Sequence, residues 1–188
     1  MNRWVPVGCY VVLLGIGLAF IAGGLWIPAK AMLAQHLLEN AWQNTRKDKK
    51  VAKPWPWADT WPIARLTING KSTIVLADGG GESLAFGPSH VSGSAKPGAT
   101  GTSVISAHRD THFQVLKTVK PGDVVTLERA DGMKQDYEVR DTRILPKPEL
   151  LLPPEDGRDR LILVTCWPFD AVVPDTKKRF SVLAERVR

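Results

Sequence analysis

The stretch "LILVTCWPFD", residues 161–170, is an apolar run that stops on a thiol. Cys166 admits two readings. Free cysteine is among the most buried residue types and packs as a small hydrophobe, whereas a lone thiol joined through the fold to a distant histidine is a candidate nucleophile. A second stretch, "TSVISAHRDTHFQVL" (residues 102–116), places His108 where a β-rich run turns polar. His108 and His112 share the i, i+4 spacing of an H-E-x-x-H zinc helix, with His90 of "GPSH" as a third ligand. Arg109, however, stands where that motif needs its Glu, and the segment is entered from a strand. Zinc is therefore disfavoured and no metal is assigned. Thiol chemistry is the other reading: a thiolate attacks a carbonyl, an imidazole protonates the departing amine and a cationic donor holds the oxyanion. Arg179, at the start of "RFSVLAERV", is either that donor or a solvated strand end.

These residues need strands to bring them together. From residue 63 onward, "IARLTI", "STIVLA", "TSVISA", "DVVTLER", "QDYEVRDTRIL", "RLILVTC" and "RFSVLAERV" have the length and β-branched content of strands. Asn69-Gly70 and Asp131-Gly132 are turn signals between neighbours. About seven or eight strands with few helices make an all-β barrel or sandwich; the short helix candidates are 82–86 and 113–119.

The amino-terminal part differs in texture. Residues 4–27 carry no charged side chain and are long enough, at about 1.5 Å per residue, to cross a hydrocarbon core of about 30 Å. A transmembrane signal anchor over residues 1–28 is expected, with Trp26 at the interface. A cleaved signal peptide ending at "AKA" (Ala29 to Ala31) competes with it. Leu33, Leu37, Leu38 and Ala41 have helical spacing, and "VAKPWPWADTWPIARL" brings three prolines and three tryptophans that favour extended chain. Residues 29–60 read as a helical stalk and Pro/Trp-rich linker, and residues 61–188 as the globular domain. A signal anchor would place that domain outside the cytoplasm, as a single-pass protein of the inner membrane facing the periplasm.

Charge excludes one class of partner. Residues 1–62 hold seven Lys/Arg and three Asp/Glu, and residues 63–188 hold eighteen and sixteen. With both signs interspersed over the domain, a nucleic-acid face is not expected. Cys9 lies in the apolar segment and Cys166 in the domain, so a bridge between them is geometrically implausible.

The order strand-His108, then "LILVTC", then Arg179 on the last strand resembles the sortases, membrane-anchored cysteine transpeptidases. The resemblance runs from about Trp61 to the end and includes "FGPSHVSGSAKPGATGTSVISAHRDTHFQVLKTVKPGD" in register; "HRDTHF" and "TCWPFD" look most like the Gram-negative branch. It implies a closed eight-stranded sortase-type β-barrel with short helices, His108 as acid/base, Cys166 as nucleophile and Arg179 on the substrate carbonyl or oxyanion. Thr165 matches the position that helps form the oxyanion hole. The loop 167–178 would line a groove for an LPXTG-like sorting signal, with Trp167 and Phe169 either contacting it or capping the barrel. A thioacyl enzyme would pass its acyl group to an amine acceptor, without a cofactor; water in its place would make the enzyme a peptidase. The chain departs from the family's habit at Ala107, where Gly is frequent, and at Thr102, where Asn is. Some sortases bind calcium, but Asp78, Glu82, Asp110 and Asp123 are scattered without a loop signature.

Overall fold

The computed structural model of the 188-residue chain describes residues 7–77, 83–147, 156–171 and 176–187, the side chains of residues 7, 22, 25, 27 and 28 excepted. Asp78 and Glu82 therefore lie outside the described residues. One helix, α1 (Val7–Asp48), precedes β1 (Pro62–Ile68), β2 (Lys71–Leu76), β3 (Ser89–His90), β4 (Thr102–Ser106), β5 (Val124–Arg129), β6 (Lys134–Pro146), β7 (Arg160–Trp167) and β8 (Lys178–Arg186). A 3-10 helix, Gln114–Thr118, follows β4.

The strands close into a barrel in the order β1-β2-β3-β4-β7-β8-β6-β5. All seven expected runs are strands; β3, two residues long, is too short to carry a period. The Asn69-Gly70 hairpin has positive φ at both central residues, 48° and 75°, which is the type I′ turn that matches strand twist. At the other hairpin, Asp131 Oδ1 accepts a hydrogen bond from the Met133 amide at 3.0 Å, closing an Asx turn.

Period-two alternation decides what faces inward. Leu66, Ile105, Ala107, Leu127, Tyr137, Leu161, Leu163 and Val182 share the barrel interior. Val104, Ile162 and Val164 form a separate buried cluster with Val91 and Leu183 on the other face of β4, β7 and β8. Strand β7, buried on both faces from Arg160 to Thr165, accordingly reads as a continuous apolar run rather than an alternating one.

The chain divides into two compact units, residues 1–36 and 37–188. In the second, the end of α1 packs on the barrel: Leu38 and Trp42 contact Ile74 and Leu76, and Arg46 pairs with Glu128 at 3.1 Å. The Arg65 guanidinium lies 5.9 Å from the Trp42 ring centroid, a favourable placement over a π face. Of the linker tryptophans, Trp55 meets Phe86 edge-on at 5.1 Å, while Trp57 is 80% exposed.

The expected transmembrane helix is corrected. Among the described residues no helix is long and apolar enough to cross a membrane. The stretch 8–21 at the start of α1 carries no charged side chain. Beyond it α1 continues without a break into the charged turns that end at Asp48. With the signal anchor go the membrane as a partner through that helix and the single-pass inner-membrane localisation.

Candidate active site

Three strand ends meet at one rim of the barrel. Strands β4 and β7 are parallel, with Thr102 opposite Arg160 and Ser106 opposite Val164. One step further the Ala107 amide donates to the Val164 carbonyl at 3.2 Å, and the Thr165 hydroxyl donates to the Ala107 carbonyl at 2.8 Å. That hydroxyl is buried, 2% exposed for the residue, and its bond carries the parallel alignment past the end of the ladder. His108 thus leaves β4 abreast of the end of β7.

On the other side β7 pairs antiparallel with β8, and Cys166 stands directly opposite Arg179. Directly opposed residues project to the same face of a sheet. Leu161 and Leu163 point into the barrel and Ile162 and Val164 point out, so alternation puts Cys166 outside and Thr165 inside. The same count on β4, with Ile105 and Ala107 inward and Val104 outward, sends His108 outward; on β8, Val182 and Ala184 inward send Arg179 outward. His108, Cys166 and Arg179 therefore share the outer face on three adjacent strand ends. The apolar strip Val104, Ile162, Val164 and Leu183 leads along that face towards them.

Exposure fits reactive groups. Cys166 is half-buried and His108 is exposed. Arg179 spends one terminal nitrogen on its own loop: Nη1 donates to the Thr176 carbonyl at 2.8 Å and the Lys178 carbonyl at 3.1 Å. A guanidinium has five N–H donors, so the plane is anchored while Nε and Nη2 make no hydrogen bond among the described residues.

Trp167 and Phe169 belong to the inner side of the rim. They meet edge-on at 5.5 Å, and Phe180 completes the trio at 5.8 Å from Trp167 and 5.3 Å from Phe169. Phe169 and Phe180 pack against the interior cluster. Alternation thus separates Thr165, Trp167 and Phe169 from the face that carries Cys166.

Arg109, weighed in the sequence only as a misfit in a zinc motif, is 6% exposed. Its Nη2 donates to the Ala171 carbonyl at 2.6 Å and its Nη1 to the Thr176 hydroxyl at 3.5 Å. The residue after His108 is thereby bound to the loop between β7 and β8, through the same Thr176 whose carbonyl holds Arg179. Nothing in the polar run "HRDTH" marks Arg109 for this role, because its partners lie 62 and 67 residues away. His90 is taken up locally, with Nε2 within 3.0 Å of the Ala95 carbonyl and the Ser94 hydroxyl.

His112 lies 3.3 Å from the Thr73 hydroxyl through Nδ1. Burial, and next the charge of His108, push its pKa below the ordinary 6.5, partly offset by a backbone hydrogen bond to Phe86. A depressed folded-state pKa means that the unfolded chain takes up the proton first. The stability due to neutral His112 is full above pH 6.5 and is lost as pH falls through the folded value. Urea midpoints measured from neutral pH downward should therefore fall more steeply for the natural chain than for His112→Asn; parallel curves would show that His112 is not the group responsible.

The Sortase domain family profile matches residues 66–187. Sortase D of Bacillus subtilis (strain 168) is 32% identical over 142 residues, covering 75% of this chain and 70% of that protein. Among solved structures, sortase A from Corynebacterium diphtheriae superposes with a TM-score of 0.62 at 30% identity, covering 70% of this chain and 63% of that one. Sortase C-1 from Actinomyces oris gives 0.58 at 29% identity, covering 68% and 75%. These relatives belong to the Gram-positive sortase classes A, C and D, which overturns the assignment to the Gram-negative branch. Short motifs around a nucleophile and its acid/base answer to chemistry common to the whole family, so "HRDTHF" and "TCWPFD" do not separate its branches. The chain belongs to the sortase family of cysteine transpeptidases.

Proposed function

We propose that Cys166 is the nucleophile, His108 the acid/base and Arg179 the oxyanion donor of a transpeptidase that cleaves an LPXTG-like sorting signal, with residues 61–188 as the catalytic domain after a helical and linker segment, 29–60. The observation that carries this reading is the pairing of Cys166 with Arg179 beside the strand end that delivers His108.

The Cys166 thiolate adds to the scissile carbonyl carbon, and the carbonyl oxygen takes the negative charge. The Arg179 N–H groups not held by Thr176 and Lys178 offset that charge in a site that is partly shielded from water. His108, as imidazolium, gives its proton to the leaving amine as the C–N bond breaks. A thioester remains on Cys166. An acceptor amine then attacks it, His108 takes the proton, and the C–S bond breaks to restore the thiolate. Water in place of the amine gives hydrolysis.

Thr165 acts from inside by holding Ala107, and Trp167 with Phe169 by fixing the start of the loop. Arg109 is a positioning residue in this reading, since it ties the residue after His108 to the loop that anchors Arg179.

Purified chain given a peptide with an LPXTG-like signal and a primary amine should release the tail and form the new amide, with a thioacyl adduct on Cys166 detectable by mass spectrometry. Cys166→Ala should lower turnover by roughly a thousandfold or more. Turnover by Cys166→Ala would refute the nucleophile assignment, and hydrolysis alone at high amine would refute transfer. Arg109→Ala should lower kcat by about 10–100-fold, the scale of a misplaced catalytic group, with millimolar ethylguanidinium restoring part of it. Unchanged kcat would leave Arg109 a purely structural residue.

A further inference from the structure

At the opposite pole of the barrel from Cys166 lies a concavity. Strand β7 rises about 3.3 Å per residue, so Cys166 is about 20 Å from the end where β4 and β7 begin. There the loop between β3 and β4, the β5–β6 hairpin and the chain after α1 enclose a cleft of about 610 Å³. That is within the usual size range of small-molecule sites, which are mostly apolar with a few placed polar groups.

The lining fits that pattern. Val51, Trp61, Ile63, Ala77, Pro97 and Ala99 supply apolar surface, and Lys49, Lys50 and Lys96 supply positive charge. Val51 is 62% exposed, a large apolar side chain facing water across the mouth. The walls are fixed: Arg129 Nη1 and Gln135 Nε2 both donate to the Gly98 carbonyl, at 3.3 and 3.1 Å, joining the loop to the hairpin. Arg129 is neutralised by Asp131 at 2.9 Å, whereas Lys49, Lys50 and Lys96 have no carboxylate partner among the described residues. Lys49 and Lys50 follow the end of α1, where the helix dipole alone favours cations. Lys96 comes from the loop between β3 and β4 and owes nothing to that dipole.

We propose that this cleft binds a small amphiphilic anion, an apolar body with a single carboxylate or sulfonate head, seated on Trp61 and Ile63 with its charge towards Lys49, Lys50 and Lys96. The site is independent of the thiol chemistry at the other rim.

The test uses anilinonaphthalene sulfonate and its uncharged analogue phenylnaphthylamine as probes of the full chain, read by energy transfer from tryptophan, with decanoate as competitor. Both probes should bind saturably at one site, and decanoate should displace the anionic one. Ala99→Trp, which fills the cleft, should weaken both by roughly tenfold or more. The exposed triple change Lys49→Glu, Lys50→Glu and Lys96→Glu should weaken only the anionic probe, by a similar factor. Peptide transfer should be unchanged in every variant. Failure of saturable binding, equal binding to Ala99→Trp of native melting temperature, or the same response of both probes to charge reversal would each overturn the proposal.

Discussion

Everything at the proposed catalytic rim depends on the parallel alignment of β4 with β7. These two strands are distant in sequence, and nothing local sets their register. It is set by five consecutive pairs, from Thr102 with Arg160 to Ser106 with Val164. Beyond the last pair, the Ala107 amide still bonds the Val164 carbonyl, and a buried side-chain hydrogen bond, Thr165 to Ala107, extends the alignment. A slip of one residue would exchange inside for outside along the whole strand, turning His108 into the barrel while leaving Cys166 on its surface. Burial of Leu161 and Leu163 on one face and of Ile162 and Val164 on the other makes such a slip costly on both sides of the sheet.

The loop between β7 and β8 is held from both flanks. Arg109 reaches Ala171 and Thr176 from the β4 side, Lys117 of the 3-10 helix pairs with Asp170 at 2.8 Å, and Arg179 grips Thr176 from β8. The Lys117–Asp170 ion pair is exposed and worth little by itself. The buried guanidinium of Arg109 matters more, because a charge removed from water must keep its hydrogen bonds. The arrangement ties the loop to the same backbone that orients the candidate acid/base.

Much of this was legible in the sequence, for physical reasons that can be named. The long strands announced themselves by β-branched content and by turn residues such as Asn69-Gly70. Cys166, His108 and Arg179 stood out because their order along the chain resembled a family, and alternation along β4, β7 and β8 gives all three the same face. Hidden were features with no period or with non-local partners. Strand β3 is two residues long, the Arg109 contacts span 62 and 67 residues of sequence, and the inward turn of Trp167 and Phe169 follows only from knowing which face of β7 is interior. The apolar amino-terminal stretch reads as an anchor separate from the following helix, because its composition changes near residue 28, whereas α1 is one helix from Val7 to Asp48. Branch identity is not legible in "HRDTHF" and "TCWPFD", because motifs close to the chemistry vary least between branches.

The most direct test of the central claim removes one hydrogen-bond donor. Thr165→Val keeps the side-chain shape but leaves the Ala107 carbonyl unpaired, at a cost of about 1–3 kcal/mol; Thr165→Ser keeps the donor. If the Thr165 bond aligns His108 with Cys166, Thr165→Val should lose roughly tenfold or more in the rate of thioacyl formation while still folded, and Thr165→Ser should stay close to the natural chain. Thioacyl formation at the natural rate in Thr165→Val would contradict the account.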